Sequence, residues 1–192
     1  MDSAWSALNA DIQACQRCAL ARGITNKVPG QGSVAVRLML IGEGPGQQED
    51  AQGLAFVGPA GQLLTRMLAA INLNRDEVFI TNIVKCRPPN NRAPLPEEAQ
   101  ACLPFLRAQT RLIRPPVILL LGASALRALL GEDKRITTFR GQWVERKGFS
   151  LMATFHPAAL LRDPDKKRLA WQDLQLVRDR LAQLAARPGA GG

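Results

Sequence analysis

Four short apolar runs, each followed by small and polar residues, constrain this chain more than any other feature. They are 37–41 (RLMLI), 78–84 (VFITNIV), 117–121 (VILLL) and 151–155 (LMATF). Near-continuous apolar runs of this length suit strands buried on both faces, which is the habit of parallel sheets covered by helices. Helical periods lie between them. Leu63, Leu64, Met67, Leu68 and Ile71 recur at the helical repeat, as do Leu174, Val177, Leu181 and Leu184, and 97–113 reads as a further helix opened by Pro96. Strands alternating with helices predict an α/β domain with a mostly parallel four-stranded sheet, and 142–147 is a candidate for an additional short strand.

In such sheets ligands bind beyond the carboxyl ends of the strands, so the residues after each run carry the functional argument. The first run leads into GEGPGQQED, the second contains Asn82 and leads into KCRPPNNRAP, the third ends in GAS and the fourth in HPAALLR. Together they predict one polar, glycine-rich rim. His156, the sole histidine, belongs to it. A lone histidine after a strand also has a purely structural reading.

At 192 residues the chain is long enough to bury a core without staples, and 1–186 is expected to form one domain with 187–192 (RPGAGG) as a flexible tail. The longest apolar stretch, 117–130, is interrupted by Ser124 and Arg127 and is too short to span a bilayer. The first fifteen residues lack the basic start and apolar block of a secretory signal, so a cytoplasmic location, with reduced cysteines and no membrane partner, is expected. A monomer is expected. Twenty-five Lys and Arg against sixteen Asp and Glu give a net charge of +9, spread along the chain. That balance favours an anionic partner, with nucleic acid first.

GEGPG fits neither the dinucleotide nor the phosphate-loop fingerprint, and no lysine follows it to hold phosphates. The four cysteines say more. Cys15 and Cys18 form C-x2-C, while Cys86 and Cys102 are separated by 15 residues. A metal site explains the tight first pair better than a disulfide framework, but this spacing leaves zinc and an iron–sulfur cluster equally open.

Taken together, GEGPGQQED, AFVGPAGQLL, FITNIVKCRPPNNRAP, FRGQW and FHPAALLR resemble, in order and spacing, the family 4 uracil-DNA glycosylases, the iron–sulfur branch of their superfamily. The resemblance runs from about Cys15 to Leu181. It implies a three-layer α/β/α domain that hydrolytically removes uracil from DNA and carries a [4Fe-4S] cluster on Cys15, Cys18, Cys86 and Cys102. Gly42, Glu43, Gly44 and Pro45 match the first active-site motif, Phe56 the aromatic on which uracil stacks, and Asn82 the side chain that reads its amide edge. His156 matches the second-motif histidine, which donates to uracil O2 as charge develops on the leaving base. Leu160 stands where relatives insert a residue into the duplex, a role that Leu161 or Arg162 could share, and Arg162 is alternatively placed to hold phosphate.

Two positions depart from the superfamily's best-known branch. Its water-positioning aspartate corresponds to Gly44, which leaves Glu43, the preferred candidate, or Asn91. Its thymine-excluding tyrosine corresponds to Gly46, so Glu49 either compensates or simply caps a helix. A metal-containing DNA-binding module that has lost catalysis is the non-enzymatic alternative, and the presence of Glu43, Phe56, Asn82 and His156 argues against it. Residues 86–102 hold no histidine or inserted basic loop of the kind that attaches covalently to uracil-DNA, and no motif lysine suits Schiff-base chemistry. Strand cleavage is therefore not expected.

Overall fold

The two sequence periods become a sheet sandwiched between helices in a computed structural model that describes residues 2–186; the expected tail, 187–192, lies outside the described residues. The strands are β1 (Gln31–Gly32), β2 (Leu38–Gly42), β3 (Val78–Asn82), β4 (Val117–Leu121), β5 (Val144–Arg146) and β6 (Phe149–Thr154). The helices are α1 (Asp2–Ala14), α2 (Gln47–Gln52), α3 (Pro59–Ala69), α4 (Pro96–Ile113), α5 (Ala123–Leu130), α6 (Ile136–Phe139), α7 (Pro157–Arg162) and α8 (Lys167–Ala185).

The sheet order is β1-β3-β2-β4-β6-β5. The four inner strands are parallel and coincide with the four apolar runs. The expected four-stranded sheet is widened to six by antiparallel edges. β5 falls inside the candidate stretch 142–147, whereas β1 is two residues without an apolar side chain and leaves no periodicity to read. β2 is the switch point. The chain proceeds from it to β3 on one side and β4 on the other, which opens a crevice at their carboxyl ends.

Alternate side chains of each inner strand feed two separate cores, as the two-residue repeat requires. Leu38, Leu40, Val117, Leu119 and Met152 pack with α3, α7 and α8. Met39, Ile41, Ile118, Leu120 and Leu151 pack with α1, α4 and α5 on the other face. This is the three-layer α/β/α arrangement.

One buried ion pair locks the end of β6. Arg140, from the FRGQW stretch, donates from Nε and Nη2 to the Asp173 carboxylate at 2.9 and 2.6 Å, and Thr154 Oγ1 donates to the same carboxylate at 2.6 Å. Asp173 is fully buried and the Arg140 side chain is 16% exposed. Removing one partner of such a pair leaves the other desolvated and unpaired. Asp173→Ala should therefore cost about 3–5 kcal/mol of folding stability in urea titration; a loss below about 1 kcal/mol, the range of an exposed pair, would show that the contact does not anchor the strand.

Candidate active site

The four parallel strand ends open into one cleft of about 790 Å³. Gly42 closes β2 directly opposite Asn82 at the end of β3. A Cβ on Gly42 would stand 2.5 Å from Asn82 Oδ1 and 2.6 Å from Phe56 Cζ, so only glycine lets these two side chains meet there. Asn82 is 1% exposed, yet among the described residues neither its Oδ1 nor its Nδ2 has a hydrogen-bond partner. Leaving a buried polar group unpaired costs about 1–3 kcal/mol. The amide thus presents an acceptor and a donor side by side to whatever enters the cleft.

Phe56 supplies an aromatic wall. Its ring centroid lies 5.6 Å from that of His156, with 32° between the planes. The backbone there is held at φ 52°, a left-handed conformation unfavourable for a bulky residue. Two side chains enforce it. The Glu49 carboxylate accepts from the backbone N–H groups of Val57 and Gly58, each at 2.8 Å, and Arg75 Nη2 donates to the Ala55 carbonyl at 2.8 Å. Glu49 also accepts from Gly46 N at 3.2 Å, at the start of α2. Of its two sequence-level readings, the capping one is met by these bonds, and it extends to gripping the Phe56 loop. Arg75 carried no motif to reveal it.

His156 follows β6 and caps α7. Its Nδ1 accepts from Ala158 N at 3.1 Å, which assigns the ring proton to Nε2. Burial, followed by the Arg162 guanidinium, pushes its pKa down to about 4, against a weaker opposing pull from Glu49. The ring is therefore a neutral donor at physiological pH. Pro45 is buried, and Gly44 and Gly46 line the cleft beside it.

Glu43 also lines the cleft, where it is half-buried and its Oε2 accepts a hydrogen bond from Ser124 Oγ. Asn91 is exposed at the cleft's edge, where its Oδ1 accepts from Arg87 Nε at 2.8 Å. Both candidates for water positioning thus face the same cleft. The expectation for Leu160 is corrected. Leu160 is 1% exposed and belongs to the core beneath α7, whereas Leu161 is 44% exposed. One helical step separates a residue that anchors α7 from one that projects. Arg162 is exposed beside Leu161.

The four cysteines meet away from this cleft. Cys15 and Cys18 follow α1, Cys86 follows β3 and Cys102 lies in α4, and all four line one small cavity with Arg17, Lys27 and Lys85. All are free thiols. Burial first, then neighbouring Cys102 and Cys18, push the Cys86 thiol up to about 12. Four thiolates crowded together need a positive centre to hold them deprotonated. Among the described residues, no three His, Cys, Asp or Glu side chains converge as a single-ion site. Glu98, one turn before Cys102 in α4, accepts from Leu95 N at 2.7 Å at the start of the helix and takes a bidentate bond from Arg92.

Lys85 was not anticipated. It is 1% exposed, and its Nζ donates to Thr81 Oγ1, the Asn82 carbonyl and Gln109 Oε1 at 2.6, 2.8 and 2.7 Å. Burial lowers its pKa to about 7. A fully buried lysine runs against every composition rule, so only coordinates reveal it.

A doubly wound sheet with this rim is the architecture of the uracil DNA glycosylase superfamily, whose family model matches residues 29–175. A type-4 uracil-DNA glycosylase of Thermotoga maritima is 44% identical over 85% of this chain and 88% of its own length, and one of Archaeoglobus fulgidus is 44% identical over 87% and 88%. A type-5 enzyme of Pyrobaculum aerophilum is more distant, at 33% identity over 69% of this chain and 66% of its own. The chain belongs to the type-4 uracil-DNA glycosylase family.

The depressed pKa of His156 has a measurable sign. An unfolded histidine takes up a proton below about pH 6.5, whereas folded His156 stays neutral until about pH 4. The unfolded state therefore binds more protons across that window. Wild-type stability should fall relative to His156→Gln as pH drops from 7 to 4; a difference in urea midpoint that stays constant across the window would contradict a half-buried ring held neutral.

Proposed function

We propose that this chain removes uracil from DNA by hydrolysing the bond between the base and deoxyribose, leaving an abasic site without strand cleavage. The observation that carries the reading is the buried, unpartnered amide of Asn82. Its Oδ1 can accept from uracil N3–H while Nδ2 donates to O4. Cytosine offers the reverse pattern and would leave both groups unpaired, which is a strong form of rejection. Phe56 offers the flat surface on which the base stacks.

Uracil is inaccessible within a stacked duplex, so it is flipped into the cleft at a cost of roughly a few kcal/mol. Leu161, exposed on α7, fills the space it leaves, and Arg162 and Lys166 at the cleft's rim hold phosphate. As the glycosidic bond stretches, the sugar gains positive character and the base negative character. His156 Nε2–H donates to uracil O2 and stabilises that developing charge without giving up its proton. Glu43 orients the attacking water, with Asn91 as a second polar group on the same side. The net charge of +9 favours the polyanionic substrate.

Cys15, Cys18, Cys86 and Cys102 would hold a [4Fe-4S] cluster. Support comes from the donor set: four thiols around one cavity, cations beside them, and the only histidine committed to the other site. A cluster with irons at separate corners does not require the four to close on one ion. When bound, it supplies a four-point tie between the turn after α1, the loop after β3 and helix α4. The working unit is proposed to be a monomer. The working compartment is the one that holds DNA; among the described residues, no helix is long and apolar enough to cross a membrane.

Single-turnover excision on a uracil-containing oligonucleotide tests the activity. His156→Ala should slow excision by about 10² to 10³, the usual cost of removing one oxyanion donor, with little change in DNA affinity. A wild-type rate in a less stable protein would return His156 to a structural role. For the cofactor, purified protein should be brown with about four irons per chain. Cys102→Ser should lose the iron and lower the melting temperature while uracil-over-cytosine preference persists; stoichiometric zinc in a colourless wild-type protein would overturn the assignment.

A further inference from the structure

We propose that Ser124 is a positioning residue for the hydrolytic step, holding the Glu43 carboxylate in the orientation that faces the water. The inference rests on Glu43 acting on the water as described above. Ser124 Oγ donates to Glu43 Oε2, and both side chains line the cleft. Among the described residues, no other group hydrogen-bonds to that carboxylate. A glutamate side chain turns about three bonds, so this single contact selects one arrangement and leaves Oε1 free.

The placement is informative in itself. Glu43 stands one residue past β2 and Ser124 three residues past β4, so the hydrogen bond spans the point at which the strand order diverges. The same junction also meets His156. Gly122, at φ 93°, donates its N–H to the Thr154 carbonyl at 2.8 Å, and a Cβ there would lie 2.9 Å from His156 Cβ. The junction 122–124, where β4 gives way to the first residues of α5, is therefore braced against His156 at one end and bonded to Glu43 at the other. It sets the spacing between the group that stabilises charge on the leaving base and the group that orients the water. Misplacing a reacting group by about 1 Å can cost on the order of 10²-fold in rate.

The experiment compares Ser124→Ala, Ser124→Thr, Glu43→Gln and the Glu43→Gln/Ser124→Ala double variant in single-turnover excision of uracil from an oligonucleotide. Affinity for the same DNA carrying a non-hydrolysable uracil nucleotide, and melting temperature, are read in parallel. Ser124→Ala should slow excision by about 10- to 100-fold with affinity and melting temperature near wild type. Ser124→Thr, which keeps the hydroxyl, should recover most of the rate. The double variant should be no slower than Glu43→Gln alone, because the serine acts only through that carboxylate. If Glu43→Gln is slow but Ser124→Ala excises at the wild-type rate, the inference about Ser124 fails and the role of Glu43 stands. A wild-type rate for Glu43→Gln removes the reading of Glu43 itself. Additive losses in a folded double variant would overturn the proposal, and should Ser124→Ala fold poorly, a folded threonine variant as slow as Glu43→Gln would overturn it.

Discussion

Parallel pairing of β2 with both β3 and β4 is the constraint on which the rest of the structure depends. Its backbone groups are consumed in two ladders, with Gly42 set opposite Asn82 on one side and Ile41 opposite Leu120 on the other. Strands joined in that register end at the same level, so four loops that are far apart in sequence open onto one rim. The helices cover both faces because the strands are apolar on both, and nothing but the carboxyl edge remains for polar chemistry. The cleft is thus a by-product of the sheet's own hydrogen bonding. Only the side chains at its edge had to be chosen.

Those choices run against local stability. The Asn82 amide is buried without partners, Phe56 occupies a conformation that costs about 1–2 kcal/mol, and Lys85 carries an ammonium into the interior among neutral oxygens. The last two are held by contacts from elsewhere in the chain. Glu49 and Arg75 fix the Phe56 loop, and Gln109 of α4 reaches both Lys85 and the Pro29 carbonyl. The interior around Lys85 is also where the cysteine cavity and the Asn82 strand end come together: the ammonium lines that cavity while donating to the Asn82 backbone. The thiol site and the cleft therefore share one piece of scaffold.

What could be read from sequence followed from how much each residue says locally. The inner strands were legible because a strand buried on both faces is a short unbroken apolar run, and the rim followed from their ends. Asn82, Phe56 and His156 were legible because their motifs resemble a known family, and the structure brings them to one cleft. Leu160 and Leu161 were not separable, since adjacent leucines in a six-residue helix differ only by a rotation of about 100°. Ser124 was visible as the end of a strand, but its bond to Glu43 joins residues from opposite sides of the switch point. Glu49 was ambiguous for a related reason: three N–H groups from two segments converge on it, and no spacing along the chain records that convergence.

Helix α7 has a consequence for fidelity. His156 is its cap, Leu160 fastens its underside to the core, and Leu161 projects from it one residue later. On the proposed reading, the part that probes the duplex and the part that activates the leaving base are a single rigid body about six residues long. How deeply the DNA is seated and where the hydrogen-bond donor stands are then one mechanical coordinate. A duplex that resists the wedge holds the donor out of register, so the enzyme needs no separate checkpoint between finding a displaced base and cutting it free.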